Sequence, residues 1–275
     1  MMKHLKINSP RYIDMNIYLF MNWKMNNTFS QAFSLLEKYA DLLESASPGL
    51  IFSIFPPLPY LFPMFDAASG RFASANIRFG AQNVFHEPFG AYTGEVSPPM
   101  LAGVCEYALV GHSERRLNNN ESNASINKKI HLIINNYITP VLCIGEGLEA
   151  YNSGQVDAFL EDQIKAACDG LKNMPVNKFI IAYEPAWAIG SGLTPPPEII
   201  NRRAFLIKSV VSKLGLMAGN SDCPVLYGGS VNSINAKSFL ELDYLDGLLI
   251  GQASLDVTQI SPIIDQAASL INNSE

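Results

Sequence analysis

Eight short apolar runs, each followed by a segment of helical spacing, constrain this chain more than any other feature. They are Ile17–Trp23, Leu50–Phe55, Ile77–Gln82, Tyr107–Val110, Thr139–Ile144, Phe179–Tyr183, Val225–Tyr227 and Gly247–Ile250. Between them, apolar residues recur every three or four positions. The pattern is clearest in Ser30–Glu44, Ser122–Asn135, Gln155–Lys172, Pro197–Leu214, Ser233–Glu241 and Thr258–Ile271. Strands that alternate with helices build parallel βαβ units. Eight units fit a (β/α)8 barrel, and a doubly wound open sheet fits the same alternation. The unusual polar and glycine-bearing peptides favour the barrel. Asn22-Trp23-Lys24, Gly111-His112-Ser113-Glu114, Glu184, Gly228-Gly229-Ser230 and Gly251-Gln252 each follow a strand directly. In a parallel barrel those ends meet on one face, where side chains from different strands can act together.

The 275 residues carry no Ser/Gly linker and no low-complexity tract, so one domain is expected. Charged residues make up only 16% of the chain, against a usual share of ~25%, which suits a large core. The net charge is −6 and no long basic run exists, which argues against nucleic-acid binding. Cys105, Cys143, Cys168 and Cys223 lie far apart with no CxxC pair, so neither a zinc site nor a disulfide framework is indicated. A reduced, cytoplasmic protein is the simplest reading. Residues 1–16 read as an extension ahead of the first strand. They interrupt their apolar residues with Lys3, Lys6, Arg11 and Asp14 and lack the apolar stretch of a signal peptide. No apolar run is long enough to cross a membrane.

The peptide Ala182-Tyr183-Glu184-Pro185-Ala186 carries the sharpest chemical signal. A buried strand ends on a single carboxylate, and Pro185 forbids the strand to continue. Trp187-Ala188-Ile189-Gly190-Ser191-Gly192 follows as an apolar loop ending in glycine. A glutamate under a self-burying loop suits a general base that works with water excluded, whereas a plain surface glutamate would need no such cover. His112 stands at a strand end where a helical turn can start, with Ser113 and Glu114 suited to its first turn. The positive end of that turn favours a neutral imidazole, able to donate a hydrogen bond to a carbonyl oxygen. A lone histidine is otherwise often structural. Lys24 can be a snorkelling surface lysine, or it can neutralise an anionic substrate. The glycine-bearing loops after the seventh and eighth strands offer unhindered N–H groups where barrels commonly bind phosphate. Neither GxxxxGK[ST] nor GxGxxG is present, so a nucleotide is not the obvious ligand.

Six peptides, taken together, resemble the triosephosphate isomerase family. They are Asn22-Trp23-Lys24-Met25-Asn26, Gly111-His112-Ser113-Glu114-Arg115-Arg116, Cys143-Ile144-Gly145-Glu146, Ala182-Tyr183-Glu184-Pro185, Trp187-Ala188-Ile189-Gly190 and Tyr227-Gly228-Gly229-Ser230-Val231. Order and spacing match as well: His112 to Glu184 spans 184 − 112 = 72 residues. The similarity runs from about Ile17 to Ile271. The resemblance implies a single-domain (β/α)8 TIM barrel that interconverts dihydroxyacetone phosphate and glyceraldehyde 3-phosphate. It implies Glu184 as the base, His112 as the neutral electrophile and Lys24 as the active-site lysine. Asn22 would lie beside the substrate, and the N–H groups of Gly190, Ser230, Gly251 and Gln252 would cradle its phosphate. Glu114 would support Lys24, Glu146 would anchor Trp187, and residues 187–192 would form a closing lid. No metal and no cofactor are implied.

The segment Gln82–Ser97, with Ala91-Tyr92-Thr93-Gly94-Glu95, is similar to the family's loop that reaches into a neighbouring subunit, which implies a homodimer. Departures from the family pattern are Gln252 in place of a second glycine, Leu193 in place of a lysine, and Met21 in place of a glycine. Only Gln252 bears on substrate, and it keeps open an isomerase of a longer ketose phosphate such as a tetrulose phosphate. A non-catalytic phosphosugar binder would have no use for Glu184, His112 and Lys24 together.

Overall fold

Eight parallel strands hydrogen-bond in sequence order and close on themselves in the computed structural model, which describes residues 16–175, 177–188, 194–219 and 221–273. The strands are β1 (Ile17–Asn22), β2 (Leu50–Phe55), β3 (Arg78–Ala81), β4 (Tyr107–Val110), β5 (Thr139–Ile144), β6 (Ile180–Tyr183), β7 (Val225–Tyr227) and β8 (Gly247–Ile250). Closure comes from β8 pairing with β1, in register from Tyr18–Gly247 to Met21–Ile250. The open-sheet alternative is thereby excluded. The extension ahead of the barrel lies outside the described residues, except for Asn16.

Side chains alternate along each strand, and the alternation divides the core in two. Tyr18, Phe20, Ile51, Phe55, Tyr107, Leu109, Val141, Cys143, Ile180, Ala182, Leu226 and Leu249 fill the barrel. The opposite parity, including Ile17, Leu19, Met21, Ile181, Tyr183 and Val225, packs outward against the helices. Met21 is fully buried there, so its departure from the family glycine is a matter of packing outside the barrel.

The predicted helices are present, Pro197–Leu214 with the expected bounds and the others with shifted ends. Thr28 and Gln31 form a capping box ahead of Phe29–Leu43. Pro197 opens Pro197–Leu214, and left-handed Gly215 (φ 64°) ends it. The helix expected over Gln155–Lys172 is Val156–Ala167, and Gly170 with φ 80° turns the chain just beyond it. The helix expected over Ser233–Glu241 is Ala236–Leu240. Its first turn is replaced by a side-chain turn, in which Asn232 Oδ1 accepts from the N–H groups of Ile234 and Asn235. Leu58–Gly70 is a helix that the sequence pattern does not announce. It carries Pro59 and Pro63, and its apolar residues surround it instead of forming a stripe.

One step beyond the interior residues of each strand, the same parity reaches the rim. On six strands those rim positions are Asn22, Gly111, Gly145, Glu184, Gly228 and Gly251, and all six line one cavity of about 860 Å³. Four of the six lack a side chain, which opens the floor around the other two. Gly145 is the most constrained. A Cβ built there would lie 1.7 Å from the Glu184 carbonyl oxygen, whereas one at Gly147 would meet nothing. Gly145→Ala should therefore lower stability by about 3 kcal/mol, while Gly147→Ala stays within about 0.5 kcal/mol. Urea unfolding of both variants checks this, and equal loss in the two would refute the close-approach argument.

Candidate active site

Glu184 is the inward residue directly beyond β6, and only 2% of it is exposed. Its backbone N–H donates to Ile144 O at 2.7 Å, which fixes the chain as it leaves the barrel. The carboxylate is held by groups beyond β4. Ser113 N–H donates to Oε2 at 3.1 Å, and His112 Nε2 lies 3.3 Å from Oε1. Cys143 lies beneath, in the barrel; burial and then the Glu184 carboxylate push its thiol well up, so it stays protonated and inert. A Cβ on Gly228 would come within 2.8 Å of Glu184 Cγ, so the bare rim position across from the carboxylate is needed for its placement.

His112 caps the helix Ser113–Asn118, which begins where the sequence reading places a helical turn. The N–H of Glu114 donates to Nδ1 at 3.2 Å. A nitrogen that accepts cannot carry a proton, so in the neutral ring the proton sits on Nε2. Nε2 is the nitrogen that faces Glu184. The helical turn thus selects the tautomer, and the ring presents a donor to the cavity. In ¹⁵N NMR spectra of the native protein at neutral pH, His112 should show a protonated Nε2 and an unprotonated Nδ1. The opposite pattern, or a cationic ring, would contradict this hydrogen-bond assignment.

Lys24 follows Asn22 and Trp23 beyond β1, with left-handed backbone (φ 52°), uncommon outside glycine. Two side chains hold it there. Asn22 Oδ1 accepts from Lys24 N–H at 3.1 Å, and Gln82 Nε2 donates to Lys24 O at 2.8 Å and Phe55 O at 2.9 Å. This conformation sends the side chain across the mouth, where Nζ pairs with Glu114 Oε1 at 2.6 Å and Cε faces Gly251. The local strain is maintained from within the segment by Asn22 and from the β3 end by Gln82. Gln82 is the site residue that the sequence reading did not single out. The signal was available, because Gln82 continues the inward parity of Gly80. Arg116 was also passed over. It donates to Gly111 O at 2.7 Å, Asn123 Oδ1 at 2.7 Å and Cys143 O at 3.2 Å, tying the β4 and β5 ends together.

Ser230, Gly251 and Gln252 line the same cavity on its β7 and β8 side. Ser230 O accepts from Asn235 Nδ2 at 2.9 Å, which braces that loop. Gln252 opens a short 3₁₀ turn, Gln252–Leu255, and is exposed. It is absent from the residues with positive φ, so a side chain is accommodated there without backbone strain. Gly190 and Leu193 lie outside the described residues. At the near end of the same segment, Trp187 Nε1 donates to Glu146 Oε1 at 2.8 Å, and Tyr183 Oη donates to the same oxygen at 3.2 Å. Burial, and after it the Glu146 carboxylate, hold the Tyr183 phenol up, so it remains a donor. Among the described residues, no cluster of His, Cys, Asp and Glu is placed to hold a metal ion.

The described geometry defines a (β/α)8-barrel enzyme with one buried carboxylate opposed to one imidazole at the C-terminal face of the strands. A family model for triosephosphate isomerase matches residues 17–267, and the chain belongs to that family. A triosephosphate isomerase of Dehalococcoides mccartyi is 39% identical over 251 residues, which cover 91% of this chain and 96% of that protein. The Clostridium beijerinckii enzyme of the same name is 38% identical over 89% of this chain and 96% of its own length. That of Chlamydia muridarum is 38% identical, with 91% of each chain covered.

Proposed function

We infer that this protein interconverts dihydroxyacetone phosphate and D-glyceraldehyde 3-phosphate through an ene-diolate, without a cofactor, with Glu184 as the base and neutral His112 as the electrophile. One observation carries the assignment of roles: the Glu184 carboxylate and the His112 Nε2 donor face each other 3.3 Å apart in one cavity. A ketose–aldose exchange needs a base that takes a proton from one carbon and returns it to the next. It also needs a donor that stabilises charge developing on the oxygens. Substrate entering between the two groups would receive both. Glu184 removes the proton from C1, and the Nε2–H of His112 polarises the C2 carbonyl. The C1 hydroxyl proton passes to the C2 oxygen, and Glu184 returns its own proton to C2 as the C1 oxygen becomes the aldehyde. No oxidant, metal or co-substrate is required for that balance.

Lys24 supplies positive charge at the mouth, with Glu114 holding its ammonium in place, and Asn22 supports its backbone. Backbone N–H groups at Ser230, Gly251 and Gln252 would take the phosphate, as would Gly190 on the family resemblance. The longer-sugar alternative rested on Gln252 alone. Its unstrained backbone and exposure give no reason to prefer that reading. Glu184→Asp keeps the charge but withdraws it by about one methylene, and turnover should fall ~10²-fold or more. Glu184→Gln should lose about 10³-fold or more. A coupled assay on dihydroxyacetone phosphate, with a tetrulose phosphate as comparison, measures both; near-normal turnover of Glu184→Gln would remove it as the base.

A homodimer fits the surface beside the site. Phe89 is 73% exposed at the tip of the segment Gln82–Ser97, and Met25 is 95% exposed beside Lys24. The segment is preformed: Phe85 N–H donates to Val96 O at 2.8 Å, and the Phe85 and Tyr92 rings are 4.7 Å apart. A second recess, of about 540 Å³, shares Lys24, His112 and Glu114 with the active site and is completed by Met25, Leu58, Gln82 and Val96. A preformed loop with exposed aromatic rings and a recess of mixed polarity beside the site on one chain are what a two-fold pair would exchange. A cytoplasmic location accords with four free, buried thiols. No helix among the described residues is long and apolar enough to cross a membrane. Light scattering at assay concentration should give twice the chain mass; a fully active monomer would overturn the dimer.

A further inference from the structure

The helix Phe29–Leu43 turns one stripe inward: Ala32, Leu35, Leu36, Tyr39, Ala40 and Leu43 are buried. Within that stripe only Tyr39 carries a polar side-chain atom. No part of the residue is exposed, and its ring packs edge-on to Phe52 with centroids 5.3 Å apart. Phenylalanine would fill that space as well. A buried hydroxyl, by contrast, costs free energy unless it finds an acceptor. Its acceptor lies 215 residues away: Tyr39 Oη donates to Ser254 O, in the 3₁₀ turn Gln252–Leu255 beyond β8. Burial pushes the phenol up, against the effect of the neighbouring Trp23 indole, so the hydroxyl keeps its proton and remains a donor.

Within this turn, Ser254 N–H donates to Gly251 O at 2.8 Å. Gly251 O and Gln252 N–H belong to one planar peptide unit, and in a trans peptide the two point in opposite directions. Holding Gly251 O toward Ser254 therefore aims Gln252 N–H the other way. Gly251 and Gln252 line the active-site cavity, whereas Ser254 is wholly buried. The Tyr39 hydroxyl thus anchors the buried side of a turn whose other side borders the cavity. Trp23, directly ahead of Lys24, packs on the same tyrosine with ring centroids 6.3 Å apart.

We propose that Tyr39 is a positioning residue for substrate binding: its hydroxyl, by holding Ser254 O, sets the direction in which the Gly251–Gln252 peptide offers its N–H to the substrate phosphate. The proposal rests on the reading of the β8 loop as part of the phosphate site. Without the hydroxyl, Ser254 O loses a donor, and the turn can rotate that peptide unit away from the anion. Glu184 and His112 stand beyond β6 and β4 and keep their mutual geometry. Ground state and transition state carry the same phosphate, so the loss falls on both alike. The expected signature is a raised KM at nearly constant kcat, with inhibition by inorganic phosphate weakened in step.

The experiment compares full-length wild type, Tyr39→Phe and Tyr107→Phe in steady-state kinetics on dihydroxyacetone phosphate, with inorganic phosphate as the competing anion. Tyr39→Phe keeps the ring and removes only the oxygen. KM and the phosphate inhibition constant should each rise about three- to tenfold, the equivalent of one weakened hydrogen bond, with kcat within about twofold. Tyr107→Phe controls for the loss of a buried hydroxyl as such. Its oxygen accepts from Arg78 Nη1 at 3.0 Å, at the opposite end of the barrel. Both constants should stay within about 1.5-fold of wild type in that variant, although urea unfolding should show both variants destabilised. Unchanged constants in Tyr39→Phe would overturn the proposal, as would an equal rise in Tyr107→Phe or a fall in kcat at constant KM. In NMR spectra of the wild type, phosphate should shift the amide resonances of Gly251 and Gln252. If it does not, the phosphate-site reading of the β8 loop fails, and the proposal with it, whatever the variants show.

Discussion

The alternation of side chains along a closed ring of parallel strands governs this molecule. A barrel interior admits only every second residue of each strand, and here those positions hold aromatic, aliphatic and small groups that fill it. The chain cannot change parity at the rim without a bulge. The residue two beyond the last interior position therefore points over the mouth whatever its chemistry. Phe20 leads to Asn22, and Ala182 leads to Glu184. Leu109, Cys143, Leu226 and Leu249 lead to glycines 111, 145, 228 and 251. The packed barrel and the reactive rim are consecutive turns of one pattern, so the site inherits the rigidity of the core.

That inheritance explains how a buried carboxylate is placed. Glu184 receives two fixed neighbours from the β4 end, the Ser113 N–H and the His112 ring, and close backbone contact from the β5 end. Each neighbour is itself held: Ser113 and Glu114 by the turn they begin, His112 by the N–H that occupies Nδ1. Arg116 then ties the β4 and β5 ends together from behind. A carboxylate withdrawn from water would be costly without donors. Here those donors are backbone and ring groups whose positions do not depend on flexible side chains. Lys24 is the contrast: its long side chain stays partly exposed, and precision comes from a left-handed backbone held by Asn22 and Gln82.

Much of this was legible in the sequence because strand parity and strand ends are local. Five of the eight strands have the bounds that their apolar runs predict, β2, β4, β5, β7 and β8. Glu184, His112 and Lys24 stand out in the sequence because each sits at the end of an apolar run, whereas Asn22 enters only through the family resemblance. What escaped depends on contacts between distant segments. The helix Leu58–Gly70 has no apolar stripe, and its prolines argue against it locally; it buries Leu61, Met64 and Ala68 against β3 and the helix Phe29–Leu43. Gln82 carries no motif, and its role lies in reaching Lys24 O and Phe55 O on two other strands. The tautomer of His112 follows from one N–H direction that no spacing rule encodes. Gln252 could be read either as a changed specificity or as a tolerated side chain, because a sequence does not report φ.

The start of the segment after β6 is tied to the barrel. Its first four residues are nearly an extension of the barrel, pinned by backbone bonds to Ile144 and Glu146 and by the indole bond to a buried carboxylate. Glu146 can hold that bond because Tyr183 shares the same oxygen, and Tyr183 stands at the end of β6 itself. The acceptor that fixes Trp187 is thus fixed in turn by the strand that carries Glu184. This closed circuit runs from strand to carboxylate to indole and back through Pro185. A disturbance anywhere in it reaches Glu184 within a few bonds, whereas the loops at Ser230 and Gly251 hang from other strands.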